Sequence, residues 1–257
     1  MARFITVASG KGGVGKTTAA VNLATALAAL GKKAAVIDAN VTTPHVGISV
    51  GVAHEKTLND FLKGEAAFEE IAYNHLLGFR VIPAALSLDN LPGVDFSRLE
   101  ELKTKFDDDE IVLIDSAPCF GKEGLAAIKL GDEIIFVTEP YHISVADVRR
   151  AGLIANMLNK KILGVIVNNA LKENYEMSTT EIAALTNMDV IGYLESDSNH
   201  LKGLAVKAPL VAYNRALPNS QEYLRIAASL AGVPYIPEKR KRRFWGMFSF
   251  LRRRTAV

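Results

Sequence analysis

Seven short, almost uninterrupted apolar runs recur along this 257-residue chain, at 4–8, 34–37, 79–82, 111–114, 134–137, 162–167 and 190–194. A strand with one face in water alternates apolar and polar residues. Runs without alternation need cover on both faces, as in a parallel sheet between two helical layers. Several intervening segments carry helix signals. Residues 18–30 are rich in Ala and Leu, with Gly31 placed to end a helix at C′. Ser97 with Glu100, Ser144 with Asp147, and Ser178 with Glu181 each read as an N-cap with an acid three residues on. Strands alternating with helices connect through right-handed crossovers. The expected fold class is therefore α/β, a doubly wound and mostly parallel sheet with helices on both faces.

Composition narrows the setting. Apolar residues make up 49% and charged residues 23%, which excludes a chain disordered throughout. No apolar run reaches the roughly 18 residues of a membrane-spanning helix. Met1-Ala2-Arg3-Phe4 leads straight into the first expected strand, without signal-peptide architecture. A single cysteine, Cys119, excludes an intramolecular disulfide, and a cytosolic protein is expected. The net charge of +2 hides an asymmetry: residues 238–257 carry +7 and the remainder −5. Pro234 and Pro237 punctuate the chain before the basic stretch. The expected organisation is one domain, 1–237, with an appended tail, 238–257.

Gly10-Lys11-Gly12-Gly13-Val14-Gly15-Lys16-Thr17 fits G-x-x-x-x-G-K-[ST] without a mismatch, between the first expected strand and the first expected helix. Glycines let the backbone wrap a phosphate, inward N–H groups bind it, and the helix adds its positive end. Lys16 is placed to reach the β- and γ-phosphates, and the Thr17 hydroxyl to ligate Mg²⁺. A glycine-rich turn that binds nothing would not need all eight positions in this setting. Lys11 is ambiguous on its residues alone, being either a solvated lysine or a working cation. Asp38 and Asp115 each end an apolar run, a place where an acid can hold Mg²⁺ or simply cap a turn. His45, His54, His75, His142 and His200 show no metal-ligand spacing, and no G-x-S-x-G is present.

Residues 11–18, ending in Thr17-Thr18, resemble the deviant Walker A loop of the MinD/ParA ATPases, and the resemblance covers about residues 1–235. It implies ATP and Mg²⁺ as cofactors, held by residues 10–18, with Asn168 hydrogen-bonding adenine; Asn169 beside it is the alternative. It implies that Lys11 crosses a nucleotide-sandwich dimer to the partner's phosphates, like an arginine finger. Asp38 then corresponds to a switch I acid near Mg²⁺ and the attacking water. Asp115 corresponds to the Walker B acid, and Ser116-Ala117-Pro118 to the start of switch II.

This chain departs from the MinD pattern in places. Asn40 stands where that branch has an aspartate that orients or deprotonates the water, and an amide cannot take the proton. Slow hydrolysis, water activation by Asp38, or another way of placing water all follow, the first being preferred. Glu195-Ser196-Asp197 replaces Pro-Glu-Asp, and Thr42-Thr43-Pro44 is closer to the Mrp-like branch. The paired cysteines of that branch's iron–sulfur scaffolds are absent, so Cys119 is expected to be a buried thiol.

In the tail, Phe244, Trp245, Met247, Phe248 and Leu251 share one face of a helical wheel, with Lys and Arg dense at 239–243 and 252–254. Aromatics between cations are the pattern of a helix in an anionic membrane interface. Docking onto the chain's own domain and binding to DNA are the alternatives. MinD proteins likewise end in a membrane-targeting helix. The resemblance implies an ATP hydrolase of the MinD type that positions division machinery or polar and surface structures. Its expected place is the cytoplasm, peripheral at the inner face of the cell membrane. Expected partners are a second copy in the ATP state, the anionic membrane, and a protein activator or cargo adaptor. The rivals are a nucleotide-gated adaptor with little hydrolysis and a ParA-like DNA-partitioning ATPase.

Overall fold

A computed structural model describes residues 2–52, 54–107 and 110–237. Eight strands form one sheet: β1 (Arg3–Ala8), β2 (Ala34–Ala39), β3 (Tyr73–Asn74), β4 (Arg80–Ile82), β5 (Ile111–Ser116), β6 (Glu133–Thr138), β7 (Lys161–Ala170) and β8 (Val190–Glu195). Their spatial order is β3-β4-β2-β5-β1-β6-β7-β8. Every pairing is parallel except the two-residue edge strand β3, which runs antiparallel to β4. The seven expected strands are all present. β3 is the addition; two residues carry no readable period.

The helices are α1 (Lys16–Ala29), α2 (Val46–Val50), α3 (Leu58–Lys63), α4 (Phe68–Ile71), α5 (Lys122–Leu130), α6 (His142–Met157), α7 (Thr179–Thr186), α8 (Asn199–Ala205), α9 (Leu210–Tyr213) and α10 (Pro218–Leu230). Alternate residues of each strand feed different layers. Ile5, Val7, Leu113 and Val137 pack with Leu23 and Leu27 of α1 and Leu224 of α10. On the other face, Phe4, Ile37 and Ile114 pack with α3, while Phe136 and Val167 pack with Val145 and Val148 of α6. Both faces are therefore dry, which is why the strands show no polar alternation. Helix α1 is apolar and buried nearly all round, between the sheet and α10. Truncating a side chain such as Leu23 to alanine there would cost about 2–5 kcal/mol. No helix of the described residues is long and apolar enough to cross a membrane.

Two of the three expected caps are corrected. At 96–104 the chain forms a three-residue-per-turn helix capped by Asp95, whose carboxylate accepts the Ser97 N–H at 2.9 Å. Ser97 lies inside the helix and donates its own hydroxyl to the same acid. Ser144 is buried in the first turn of α6, which starts two residues earlier after an uncapped Tyr141. Burial against the sheet, not a cap, sets that boundary. Ser178 and Glu181 do form the reciprocal capping box of α7. Gly31, at φ 72°, follows Leu30, the C-cap of α1, at the C′ position as expected.

This order places β1 centrally, with the chain crossing to β2 on one side and later to β6 on the other. Ligands of such sheets bind at the carboxyl ends of the strands, where the winding reverses. The 10–17 loop leaves β1 there.

Candidate nucleotide site

The loop after β1 is shaped by its glycines and by what crowds it. Gly15 adopts φ 98°, open to glycine at little cost, and a Cβ there would lie 2.2 Å from Asn168 Nδ2. Gly10 is pressed against α6, where a Cβ would lie 2.4–2.6 Å from Cβ and backbone atoms of Asp147. Gly12 and Gly13 are exposed, and Val14 packs into the core beneath the loop.

Lys16 is only 7% exposed. Its ammonium donates to Ser9 Oγ at 3.0 Å and to the Lys11 carbonyl at 3.4 Å, which folds it back under the loop. Burial lowers its pKa, against the opposing pull of Asp115. The Thr17 hydroxyl donates to Asp115 Oδ2. Asp115 on β5 lies beside Asp38 on β2, paired across the sheet, and both are fully buried. Asp38 accepts the N–H groups of His45 and Val46 at 3.0 Å each, and that of Asn40 at 3.3 Å. Burial pushes Asp115 up to about 6. Burial together with the charge of Asp115 raises Asp38 well above the usual carboxylate range.

Asp115 Oδ1 is the one buried side-chain polar atom without a hydrogen-bond partner among the described residues. Two buried acids, one of them with a free carboxylate oxygen, and a hydroxyl form an all-oxygen donor set, the kind a hard cation selects. No group of three or more His, Cys, Asp or Glu side chains able to hold a metal occurs among the described residues. Mg²⁺ keeps waters and takes phosphate oxygens beside one or two carboxylates. Thr17, Asp38 and Asp115 fit such an ion.

The outer rim is built differently. The Lys11 side chain is 53% exposed and its ammonium lies 3.7 Å from Glu139 Oε2. Asn40 donates its amide to the Thr43 carbonyl at 2.7 Å and accepts the Thr43 hydroxyl at 3.1 Å. Its side chain is thus engaged within its own turn. Thr42 in the same segment donates to Glu123 at the start of α5.

Beyond the loop lies a cavity of about 440 Å³ walled by Asn168, residues 195–198 and Tyr223. Asn168 Nδ2 donates to the Val14 carbonyl at 2.9 Å, so this amide lies over the phosphate loop. Asn169, at φ 59°, turns instead toward Glu139. Asn168 thus contacts the loop directly, and both asparagines line the cavity. Thr18 lines both this cavity and the one beside the loop. Cys119 is buried, and burial pushes its thiol up to about 11, so it is an inert apolar group. Three residues at the site were not singled out in the sequence. Ser9 stands at the strand–loop junction, where position alone could have flagged it. Glu139 and His200 arrive from remote parts of the chain, and no local signal marks them.

Residues 5–209 match the CobQ/CobB/MinD/ParA nucleotide-binding domain. An uncharacterized ATP-binding protein of Methanocaldococcus jannaschii is 38% identical over 245 residues, covering 95% of this chain and 93% of its own length. The septum site-determining protein MinD of Pyrococcus horikoshii, solved with Mg-ADP, superposes with a TM-score of 0.86 at 26% identity, over 90% of this chain and 96% of that one. MinD from a MinC:MinD complex of Aquifex aeolicus superposes with a TM-score of 0.78 at 28% identity, over 93% and 98%. Sequence, loop and sheet order agree, and the chain belongs to the CobQ/CobB/MinD/ParA nucleotide-binding family, in its MinD-like branch of P-loop ATPases.

Proposed function

We propose that this protein is an ATP-driven dimerising switch of the MinD type, which holds an anionic membrane surface from the cytoplasmic side while ATP is bound and positions other machinery there. The observation that carries the reading is the convergence of Lys16, Thr17, Asp38 and Asp115 beneath the loop after β1. Lys16 binds the terminal phosphates, and residues 10–18 supply backbone N–H groups to the rest. Mg²⁺, held by Thr17, Asp38 and Asp115, would neutralise charge on those phosphates. Lys11 reaches a second copy's nucleotide, exchanging Glu139 for phosphate oxygens. Asn168 reads the base from over the loop.

Residues 238–257, including Phe244, Trp245, Met247, Phe248 and Leu251, lie outside the described residues. Their assigned role rests on the sequence pattern and on where the described chain ends. Tyr235 donates its hydroxyl to Gln221 Oε1 at 2.6 Å in the first turn of α10. Nearby Asn219 bridges to both backbone groups of Glu195 at the carboxyl end of β8. Tyr235, three residues before the tail, is therefore tied to the end of α10 nearest the nucleotide site. Its eight Lys and Arg residues each add about 1 kcal/mol of attraction near an anionic leaflet, before screening. Two tails on one dimer raise avidity by about 10²–10⁴, so nucleotide state controls residence.

One observation favours a second reading, a nucleotide-gated adaptor: the Asn40 amide is spent on Thr43 within its own turn. The experiment is flotation of the full chain with anionic vesicles under ATP and under ADP, beside a DNA-shift assay and phosphate release. ATP-dependent flotation that Phe248→Glu with Leu251→Glu abolishes is expected. Vesicle binding indifferent to nucleotide, or a DNA shift without flotation, would sink the proposal. Flotation without phosphate release would select the adaptor.

A further inference from the structure

We propose that His200 is a nucleotide-binding residue that, together with Thr18, holds a non-bridging oxygen of the α-phosphate of a bound nucleoside di- or triphosphate. The inference rests on the ATP reading above and adds a contact to it. The cavity beside the loop, about 500 Å³, contains Lys16 and Thr17; the cavity of about 440 Å³ contains Asn168. A nucleotide with its terminal phosphates at Lys16 and its base at Asn168 must pass from one to the other. Among the described residues, only Gly13, Gly15, Thr18 and His200 line both. Three of these belong to the phosphate loop and its helix. His200 alone comes from elsewhere, so it stands opposite the loop at the crossing point.

Its position there is secured locally. The Asp197 carboxylate accepts the Asn199 N–H at 2.8 Å, and the Asp197 carbonyl accepts the His200 N–H at 3.0 Å. The ring is half-buried, and Nε2 lies 3.5 Å from Thr18 Oγ1. That is long for a hydrogen bond between the two. An oxygen at about 2.8 Å from each atom fits as a shared acceptor. Of the parts of a nucleotide, the one that lies between the terminal phosphates and the sugar is the α-phosphate. Burial lowers the His200 pKa against the pull of Asp197, favouring a neutral ring that donates from Nε2 in one tautomer.

The test measures binding of Mg-ADP and of the two α-phosphorothioate diastereomers of ADP to the full chain, by calorimetry, for wild type, His200→Ala and His200→Gln. One hydrogen bond to a charged oxygen corresponds to roughly tenfold in affinity. Wild type is expected to prefer one diastereomer. His200→Ala should bind ADP about tenfold more weakly and lose that preference, while His200→Gln, still a donor, recovers part of both. A merely structural histidine would not set a stereochemical preference. Melting of the unliganded variants checks the fold, and a weakening that tracks lost stability overturns the proposal. Equal ADP binding by wild type and His200→Ala overturns it too, leaving the nucleotide reading intact. Weakening with the diastereomer preference unchanged moves the contact off the α-phosphate and also overturns it. A wild type that binds no nucleotide removes both this inference and the function it rests on.

Discussion

Lys16 and Lys11 lie five residues apart in one loop, and their surroundings are opposites. Lys16 is buried, hydrogen-bonded from beneath by Ser9 and the loop backbone, and faces Asp115. Lys11 stands in solvent at the rim, ion-paired with Glu139 of its own chain. The acids and amides repeat the contrast. Asp38 is fully buried and fixed by three backbone N–H groups. Asn40, two residues on, is tied to Thr43 in an exposed turn. The inner wall is already arranged for a phosphate and a cation. The rim residues have satisfied themselves within one chain, so any part they play in turnover requires a change of partners. Binding and hydrolysis should accordingly be separable by mutation.

The hardest test of that separation compares the two lysines directly. Lys16→Ala should abolish measurable ATP binding by calorimetry. Lys11→Ala should bind ATP almost normally yet lose turnover, by up to about 10³-fold where a cation supplied in trans carries the transition-state charge. Equal losses of binding in both variants would erase the distinction between wall and rim.

Asn40→Asp sharpens the comparison at the rim. An acid there can accept a proton from water, and general-base contributions run to about 10²–10⁴-fold. Because the side chain must first leave Thr43, a gain of about tenfold in phosphate release is expected. An unchanged or lower rate would mean that water is positioned by Asp38 or by other groups.

A smaller effect concerns the wall itself. Asp115 has its pKa raised to about 6 in the fold by burial, against about 3.9 unfolded. The fold therefore holds a proton that the unfolded chain releases. For this group, unliganded stability is greatest below about pH 4, falls as pH rises toward 6, and then levels. Urea unfolding of wild type and Asp115→Asn between pH 4 and 7.5 should show a shallower fall in the variant, in which only Asp38 keeps a pKa raised by burial. Parallel profiles would mean that the acid pair carries no such penalty. Mg²⁺ should promote nucleotide binding by wild type and do so much less for Asp115→Asn.

The sheet was legible in the sequence because both of its faces are covered: seven strands announced themselves as continuous apolar runs. Tyr73–Asn74 was not, since a two-residue edge strand is defined only by its pairing with β4. Ser97 and Ser144 misled for a related reason. A serine three residues before an acid describes a local option, and Asp95 in one case and core burial in the other took precedence. In the site, the loop and the acids at strand ends were readable because contiguous residues carry them. That Asn168 contacts the loop while Asn169 turns toward Glu139 took coordinates, since adjacent asparagines differ only in which way the backbone turns. Glu139 and His200 reach the site by tertiary folding across more than a hundred residues, and their neighbours in sequence say nothing of it.

The Tyr235–Gln221 hydrogen bond has a consequence for reach. From Pro237 to Phe244 there are seven residues, which span at most about 25 Å when fully extended. A tail gripping a membrane through its aromatics, as proposed, would hold the carboxyl ends of the strands on a leash of that length. The field of an anionic leaflet decays over about 8 Å at physiological salt. The leash thus extends through roughly three such lengths. Were the proposed anchor to hold, an attached molecule would stand far enough off for an anionic nucleotide to exchange without opposition from the surface, while its search for a partner would be confined to a layer a few nanometres deep.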